Sequence, residues 1–283
     1  MPVVREYARF LAQVTSELRL SGAACTLGRL WPIYDDVTFG FMRRLAAEYG
    51  LGEGDGPDEA TVTDDVTVFR FLGYDVCHSL DASAYEGASI VFDMNAPVLR
   101  KELANVYDVV LNGGTMEHVF HIPNFLSNIS KMLKLHGCVI HMVPIHNQVD
   151  HGYYQFSPCL FFDYYQENGF TIEKSVVYRF AGKPDDGSPW QIWGEPFLNA
   201  YPRSIQDGQL DQAIYMYVFI ARKTPSSLND QIPNQRTFAN QWQIAASQQQ
   251  APDQAALVRL IMEMKIALVR KDEQIANLKL SKA

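Results

Sequence analysis

Four short stretches carry polar or glycine residues where apolar runs break off: CTLGRLW, HSLDAS, IVFDMN and VVLNGGTMEHV. Each reads as the end of a buried strand. In open α/β sheets, ligands sit outside the carboxyl ends of the strands, near the point where the strand order reverses. Asp81, closing HSLD, supplies a carboxylate that can accept two hydrogen bonds from a ribose diol. Asp93 can accept from an exocyclic amine, and Met94 beside it can pack on a purine face. Gly28 lets backbone approach a ligand, and Asn112 and Gly113 leave room for one before the Glu117-His118 pair. Singly, each such polar residue is more often a helix cap or a solvated turn. Asp81, Asp93 and Asn112 at successive strand ends of one unit point instead to a shared ligand.

Groups able to move a proton cluster in PIHNQVDHGYYQFSP: His146, Asp150, His151 and Tyr154. His151 ranks first, because imidazole titrates near neutral pH; the competing reading is a hydrogen-bonded structural histidine in a tight loop. A metal is not expected. His118 and His121 stand three apart, and His141, His146 and His151 five apart. On a strand-to-loop passage these steps do not converge, and no cysteine joins them at finger spacing. Nucleophilic hydrolysis lacks a GxSxG elbow, and Cys138 and Cys159 sit in apolar contexts.

The elements that must position these residues alternate in type. Residues 4–20 read as an amphipathic helix with Tyr7, Phe10, Leu11, Val14 and Leu18 on one face. A strand in AACTLGRLW, a helix around VTFGFMRRLAAEYG and a Gly/Asp/Glu-rich connection follow. Then come a short helix TVFRFLG, strands YDVCHSLD and ASIVFDMN, a helix near PVLRKELANV, and the strand YDVVLN. The helix IPNFLSNISKMLKL, a turn at HG, the strand CVIHMVP and the helix SPCLFFDYYQENG come next. TIEKSVVYRF and AIYMYVFIARK complete the set as an antiparallel hairpin at one edge. Such alternation implies a largely parallel sheet covered on both faces. Between the last two strands, Trp190, Trp193, Phe197 and Tyr201 either wall an acceptor pocket or cover the core.

Three regions are expected: an α/β domain over 1–223, a polar Gln-rich linker over 224–253, and a helix over 254–283. In the last, Leu257, Ile261, Met264, Leu268, Ile275 and Leu278 follow steps of three and four, with Lys271 interrupting the seam. About three heptads suit a short coiled coil and a homo-oligomer, or a helix packed back on the domain. The net charge of −8 argues against a nucleic-acid partner or an anionic membrane surface. No apolar run reaches the roughly 18–20 residues of a membrane span. The N-terminus lacks the basic start and unbroken apolar core of a signal peptide, and the four cysteines show no CxxC pair. A cytoplasmic protein with free thiols is expected.

The tract YDVVLNGGTMEHVFHIPNFLSNISKMLKLHGCVIHMVP resembles the later half of class I S-adenosylmethionine-dependent methyltransferases. Tyr107-Asp108, Glu117-His118-Val119 and Leu133-Lys134-Leu135-His136-Gly137 stand where those enzymes carry an aspartate-rich strand start, a Glu-His-Val and a Leu-Lys-Pro-Gly-Gly turn. The resemblance runs from about Gly73 to about Phe170, and HGYYQFSP after the fifth strand looks like one sub-branch. It implies a Rossmann-like fold with a seven-stranded, mostly parallel sheet and a reversed strand. It also implies S-adenosyl-L-methionine as cofactor, Asp81 on its ribose, Asp93 on its adenine amine, and Asn112-Gly113 beside its methionine part. The implied reaction is methyl transfer to oxygen or nitrogen of a small-molecule or glycan acceptor. One feature departs from the pattern: LGRLWP replaces the glycine-rich first loop, with Arg29 and Leu30 in glycine places, and the gap to Asp81 is long. The alternative is a catalytically degenerate scaffold that self-associates through its C-terminal helix. A nicotinamide-dependent oxidoreductase would need a Gly-rich first turn and an acidic residue about 20 positions later, and neither is present.

Overall fold

The computed structural model describes residues 3–30, 33–180, 182, 190–194, 210–250, 259–268 and 271. The chain divides into two compact units, Met1–Pro233 and Asn234–Ala283.

In the first unit eight strands form one sheet: β1 (Gly22–Leu27), β2 (Tyr74–Asp81), β3 (Ile90–Val91), β4 (Tyr107–Gly113), β5 (Leu133–His146), β6 (Thr171–Phe180), β7 (Gln191–Gly194) and β8 (Ile214–Arg222). The order across the sheet is β3-β2-β1-β4-β5-β8-β6-β7. β1 lies between β2 and β4 and is parallel to both, so the chain order reverses at β1. The expected Rossmann-like architecture is present, with eight strands rather than seven. The eighth is β7, a short antiparallel addition to β6 drawn from the aromatic tract.

Alternation within the strands explains why both faces are covered. Val109 and Leu111 of β4, Ile140 and Met142 of β5, and Val218 and Ile220 of β8 join one core. It is closed by α1 (Arg5–Glu17), α2 (Phe39–Tyr49) and α3 (Asp65–Phe71). Their neighbours Val110, Val139, Val143, Tyr217 and Phe219 join the other, closed by α4 (Ile122–Met132) and α5 (Pro158–Glu167). A period of two thus supplies two cores from one set of strands.

The antiparallel pair expected at one edge is present: β8 is antiparallel to both β5 and β6, with β7 added outside β6. Residues 215–221 of β8 are buried without a break, as its place between two strands requires. Other expectations need correction. The strand in ASIVFDMN shrinks to two residues because Asp93 accepts from the Asn95 backbone N–H at 2.9 Å and turns the chain. The helix near PVLRKELANV is a single 3₁₀ turn, Lys101–Leu103, stopped by Asn105 at φ +56°. The helix expected through Leu135 ends at Met132, and β5 takes over at Leu133 and runs through the HG pair. Lys223 secures that exchange by donating to the carbonyls of Ser130 (2.8 Å) and Leu133 (2.7 Å).

Trp190 answers the question of the aromatic tract for its own part. Its ring lies 5.3–5.8 Å from those of Phe180, Tyr178, Phe10 and Tyr7, so it covers the core. Phe197, Tyr201 and the side chain of Trp193 lie outside the described residues. In the second unit, α6 (Arg236–Gln250) forms within the polar tract, and residues 259–268 are helical; the rest of the C-terminal segment but for Lys271 lies outside the described residues. Among the described residues, no helix is long and apolar enough to cross a membrane.

Phe161 is fully buried, with the rings of His141, Phe156, Tyr217 and Phe219 5.0–5.9 Å away. Phe161→Ala should destabilise the first unit by about 3–5 kcal/mol, read from urea denaturation. A loss below 1 kcal/mol would contradict this packing.

Candidate functional site

A cleft of about 390 Å³ opens at the carboxyl ends of β1, β2 and β4, where the strand order reverses. β1 contributes Leu27, Gly28 and Arg29, and β2 contributes Leu80 and Asp81. Phe92, Asp93 and Met94 come from just beyond β3, and Gly114, Thr115, His118 and Val119 from beyond β4. Parallel pairing of Asp81 with Val91, and a 2.8 Å hydrogen bond from Phe92 N–H to the Asp81 carbonyl, bring the two aspartates to the same wall. Each spends Oδ1 on its own turn: Asp81 accepts from Ser83 N–H, and Asp93 from the Asn95 backbone and side-chain amides. Met94 is buried and apolar beside them.

Gly28 is required by the backbone. It sits at φ +74°, and a Cβ there would stand 2.6 Å from Thr115 Oγ1 and 3.9 Å from Asp81 Oδ2. Thr115 Oγ1 donates to the Leu27 carbonyl at 2.5 Å, so the ends of β1 and β4 are tied across the cleft floor. Arg29, in a place where a glycine was looked for, turns partly away from the cleft. Its Nε is 2.9 Å from the buried Asp65 carboxylate, and its Nη1 donates to the Gly87 carbonyl at 2.9 Å.

Asn112 and Gly113 do not line the cleft. Asn112 is fully buried, and its Oδ1 accepts from the N–H groups of Thr115 (3.2 Å) and Met116 (3.0 Å). With Oδ1 so engaged, its amide N–H donates to His141 Nδ1 at 3.0 Å. That assigns the proton of His141 to Nε2, which lies 2.7 Å from the Tyr165 hydroxyl. A Cβ at Gly113 would stand 2.6 Å from the Tyr7 hydroxyl, so this glycine makes room for Tyr7 rather than for a ligand. The cleft-lining glycine is Gly114.

The proton-moving candidates separate. His146 Nε2 lies 3.1 Å from the Asp211 carbonyl, with the ring on Tyr215, away from the cleft. The Tyr154 hydroxyl donates to the Phe120 carbonyl at 2.9 Å. His151 is half-exposed, with its ring 5.1 Å from that of His118 and its Nε2 3.7 Å from the buried Glu117 carboxylate. The adjacent Glu117 carboxylate raises the His151 pKa above the usual imidazole value. His118, absent from the candidates read in the sequence, is the histidine on the cleft wall. The loop carrying His151 is pinned to the Glu117 turn by Tyr153 N–H donating to the Glu117 carbonyl at 2.8 Å.

All four cysteines are free thiols. Burial pushes Cys25 and Cys138 up to about 12, which removes them as thiolate nucleophiles near neutral pH.

No family model matches the sequence, and no curated protein matches it. Similar solved structures include a Burkholderia thailandensis 1,6-didemethyltoxoflavin-N1-methyltransferase with bound 1,6-didemethyltoxoflavin and S-adenosylhomocysteine. It is 14% identical, covers 77% of this chain and 79% of its own, and has a TM-score of 0.40. A possible histamine N-methyltransferase from Thermotoga maritima is 16% identical over 78% of this chain and 90% of its own, TM-score 0.38. A methyltransferase from Archaeoglobus fulgidus is 11% identical over 78% and 95%, TM-score 0.39. At such values these likenesses assign neither activity nor ligand to this chain.

Burial lowers the His141 pKa to about 3. The unfolded chain binds a proton there below about 6.5 that the folded chain refuses, so stability falls as pH drops from about 6.5 toward 3. Wild type should lose up to about 1.4 kcal/mol per pH unit more than His141→Gln between pH 6 and 4.5. Urea denaturation across that range checks it; parallel slopes would mean that the folded imidazole is protonated.

Proposed function

We propose that this protein binds S-adenosyl-L-methionine in the cleft at the β1/β4 switch point and transfers its methyl group to oxygen or nitrogen of a small-molecule or glycan acceptor. The observation that carries the reading is the meeting of Asp81 and Asp93 on one wall of a cleft of about 390 Å³, with Met94 lining it and left-handed Gly28 beside Asp81. That size falls within the range of small-molecule sites, roughly 300–1,000 Å³. In this reading Asp81 accepts from the ribose diol and Asp93 from the exocyclic amine of the adenine. Phe92 and Met94 supply the apolar surface for its face, and Gly28 and Gly114 let backbone approach the methionine part.

The donor supplies an electrophilic methyl on a sulfonium. The chain's task is to align an acceptor with it and exclude water, which needs no fixed catalytic triad. In this reading the acceptor meets His118, which lines the cleft, and His151, whose ring lies 5.1 Å from that of His118. Asn112 and Gly113 then act indirectly: Asn112 holds the turn that follows β4, and Gly113 makes room for Tyr7.

A second reading has its own observation. Arg29 occupies the first loop and is fastened to Asp65 and Gly87, which favours a degenerate, non-catalytic scaffold. Ile261, Met264 and Leu268, spaced at three and four, are all exposed on the helical residues 259–268, and their seam suits pairing with a second copy. Met264→Asp should then shift sedimentation from dimer or higher toward monomer; an unchanged assembly would exclude this seam.

Isothermal titration of the full chain with S-adenosylmethionine and S-adenosylhomocysteine decides between enzyme and scaffold. Wild type should bind both, and Asp81→Ala should lose at least tenfold in affinity, about 1.4 kcal/mol or more. His151→Ala should keep donor affinity and slow transfer. Folded wild type that binds neither compound favours the scaffold, and equal affinity in wild type and Asp81→Ala overturns the site.

A further inference from the structure

Nucleoside binding leaves one feature of the cleft rim without a purpose. Glu117 is 1% exposed, and its Oε2 has no hydrogen-bond partner. A buried carboxylate oxygen left unpaired is costly, and it commonly marks a site where a water or ion belongs. The neighbouring His151 does not resolve this, because Nε2 stands 3.7 Å from Oε1, beyond hydrogen-bond reach, and the other oxygen stays unpartnered. His118 completes a triangle: one ligand atom from each of Glu117, His118 and His151 lies within 4.8 Å of the others.

We propose that Glu117, His118 and His151 form a binding site for one divalent first-row transition-metal cation, such as zinc or cobalt, at the rim of the cleft. Two imidazole nitrogens and one carboxylate are a donor set suited to such cations, and three protein ligands leave coordination positions open. Around a tetrahedral cation with bonds of about 2.0–2.2 Å, ligand atoms stand about 3.3–3.6 Å apart, so side-chain rotations of about 1 Å close the triangle.

The scaffold is already rigid on both sides. His118 N–H donates to the Thr115 carbonyl at 3.0 Å, and the His151 loop is docked on the Glu117 backbone through Tyr153. Gly152 permits that docking, since a Cβ there would stand 2.8 Å from the Glu117 carbonyl oxygen. Both imidazoles are exposed, which gives a cation an entry path. His118 also lines the cleft, so the open positions adjoin it and can take an oxygen of a bound acceptor. This last role rests on the methyl-transfer reading; the cation site does not.

The test uses the full chain, stripped with a chelator and titrated with Zn²⁺ by calorimetry and with Co²⁺ by visible absorption, in the absence of any nucleoside. One equivalent should bind per chain, with cobalt bands typical of nitrogen and oxygen ligands. Glu117→Gln should weaken Zn²⁺ binding at least tenfold, and the double variant His118→Ala/His151→Ala should abolish it and the cobalt bands. His121→Ala, outside the triangle, should leave both unchanged. Folded wild type that takes up no stoichiometric Zn²⁺, or a double variant that binds as wild type does, overturns the site. Both histidines are exposed, so their variant remains decisive if Glu117→Gln fails to fold. Because no nucleoside is present, a failure here is separate from a failure of Asp81 to bind the methyl donor.

Discussion

The amide of Asn112 is the constraint on which the cleft depends. It sits fully buried at the end of β4, and its oxygen gathers the N–H groups of Thr115 and Met116 while its nitrogen donates to His141. One side chain therefore satisfies two backbone donors that leave the strand and converts the end of β4 into a tight turn. Thr115, held by that turn, reaches back to the Leu27 carbonyl and ties β4 to β1 across the cleft floor. Glu117 and His118 follow on the next turn, so their placement descends from the same amide. The polarity of the relay is fixed from one end: once Asn112 Oδ1 is spoken for, His141 must accept at Nδ1 and carry its proton on Nε2, toward Tyr165.

Facing this rigid wall is a wall built from turns. Asp81 and Asp93 each use one carboxylate oxygen on the local backbone, a hydrogen bond that orients the carboxyl group without burying it. Such a carboxylate is held in direction yet stays open to a partner in the cleft. Arg29 enters at the margin between the two walls. Its guanidinium draws the first loop toward Asp65 and Gly87, a different device from a run of glycines wrapping a ligand in backbone. The first loop is thus shaped by a side-chain ion pair, and whatever the cleft holds must fit beside an arginine stem.

Much of the fold was legible because strand periodicity and strand-end punctuation are local. Alternating apolar residues in β4 and β5, and the breaks at Leu27, Asp81 and Gly113, located the sheet and its ligand edge. The antiparallel pair of β6 and β8 was legible from the absence of a helix pattern between them, and the place of β8 between two strands is written in its unbroken buried run. The ends of α4 and the 3₁₀ turn at Lys101–Leu103 were not legible, because distant groups fix them. Lys223, about ninety residues on, takes the α4 carbonyls, and Asn105 N–H donates to Lys131.

The site divided along the same line. Asp81, Asp93, Met94 and Gly28 are where strand-end logic put them, because that logic depends only on parallel neighbours in register. Asn112 has a setting visible only in space: its amide is buried between a turn and a histidine, with the oxygen accepting from two backbone N–H groups and the nitrogen donating to His141. The histidines show the limit most clearly. Their even five-residue spacing along β5 and the loop after it was read as not converging, and the three do part: His141 is sealed in the core, His146 faces Asp211, and His151 reaches the rim. Its partner there is His118, thirty-three positions earlier on another strand's exit, brought close because Tyr153 binds the carbonyl of Glu117. Chemistry shared between two strand exits has no period in the sequence, so its only trace was the Glu-His pair placed directly after the glycines.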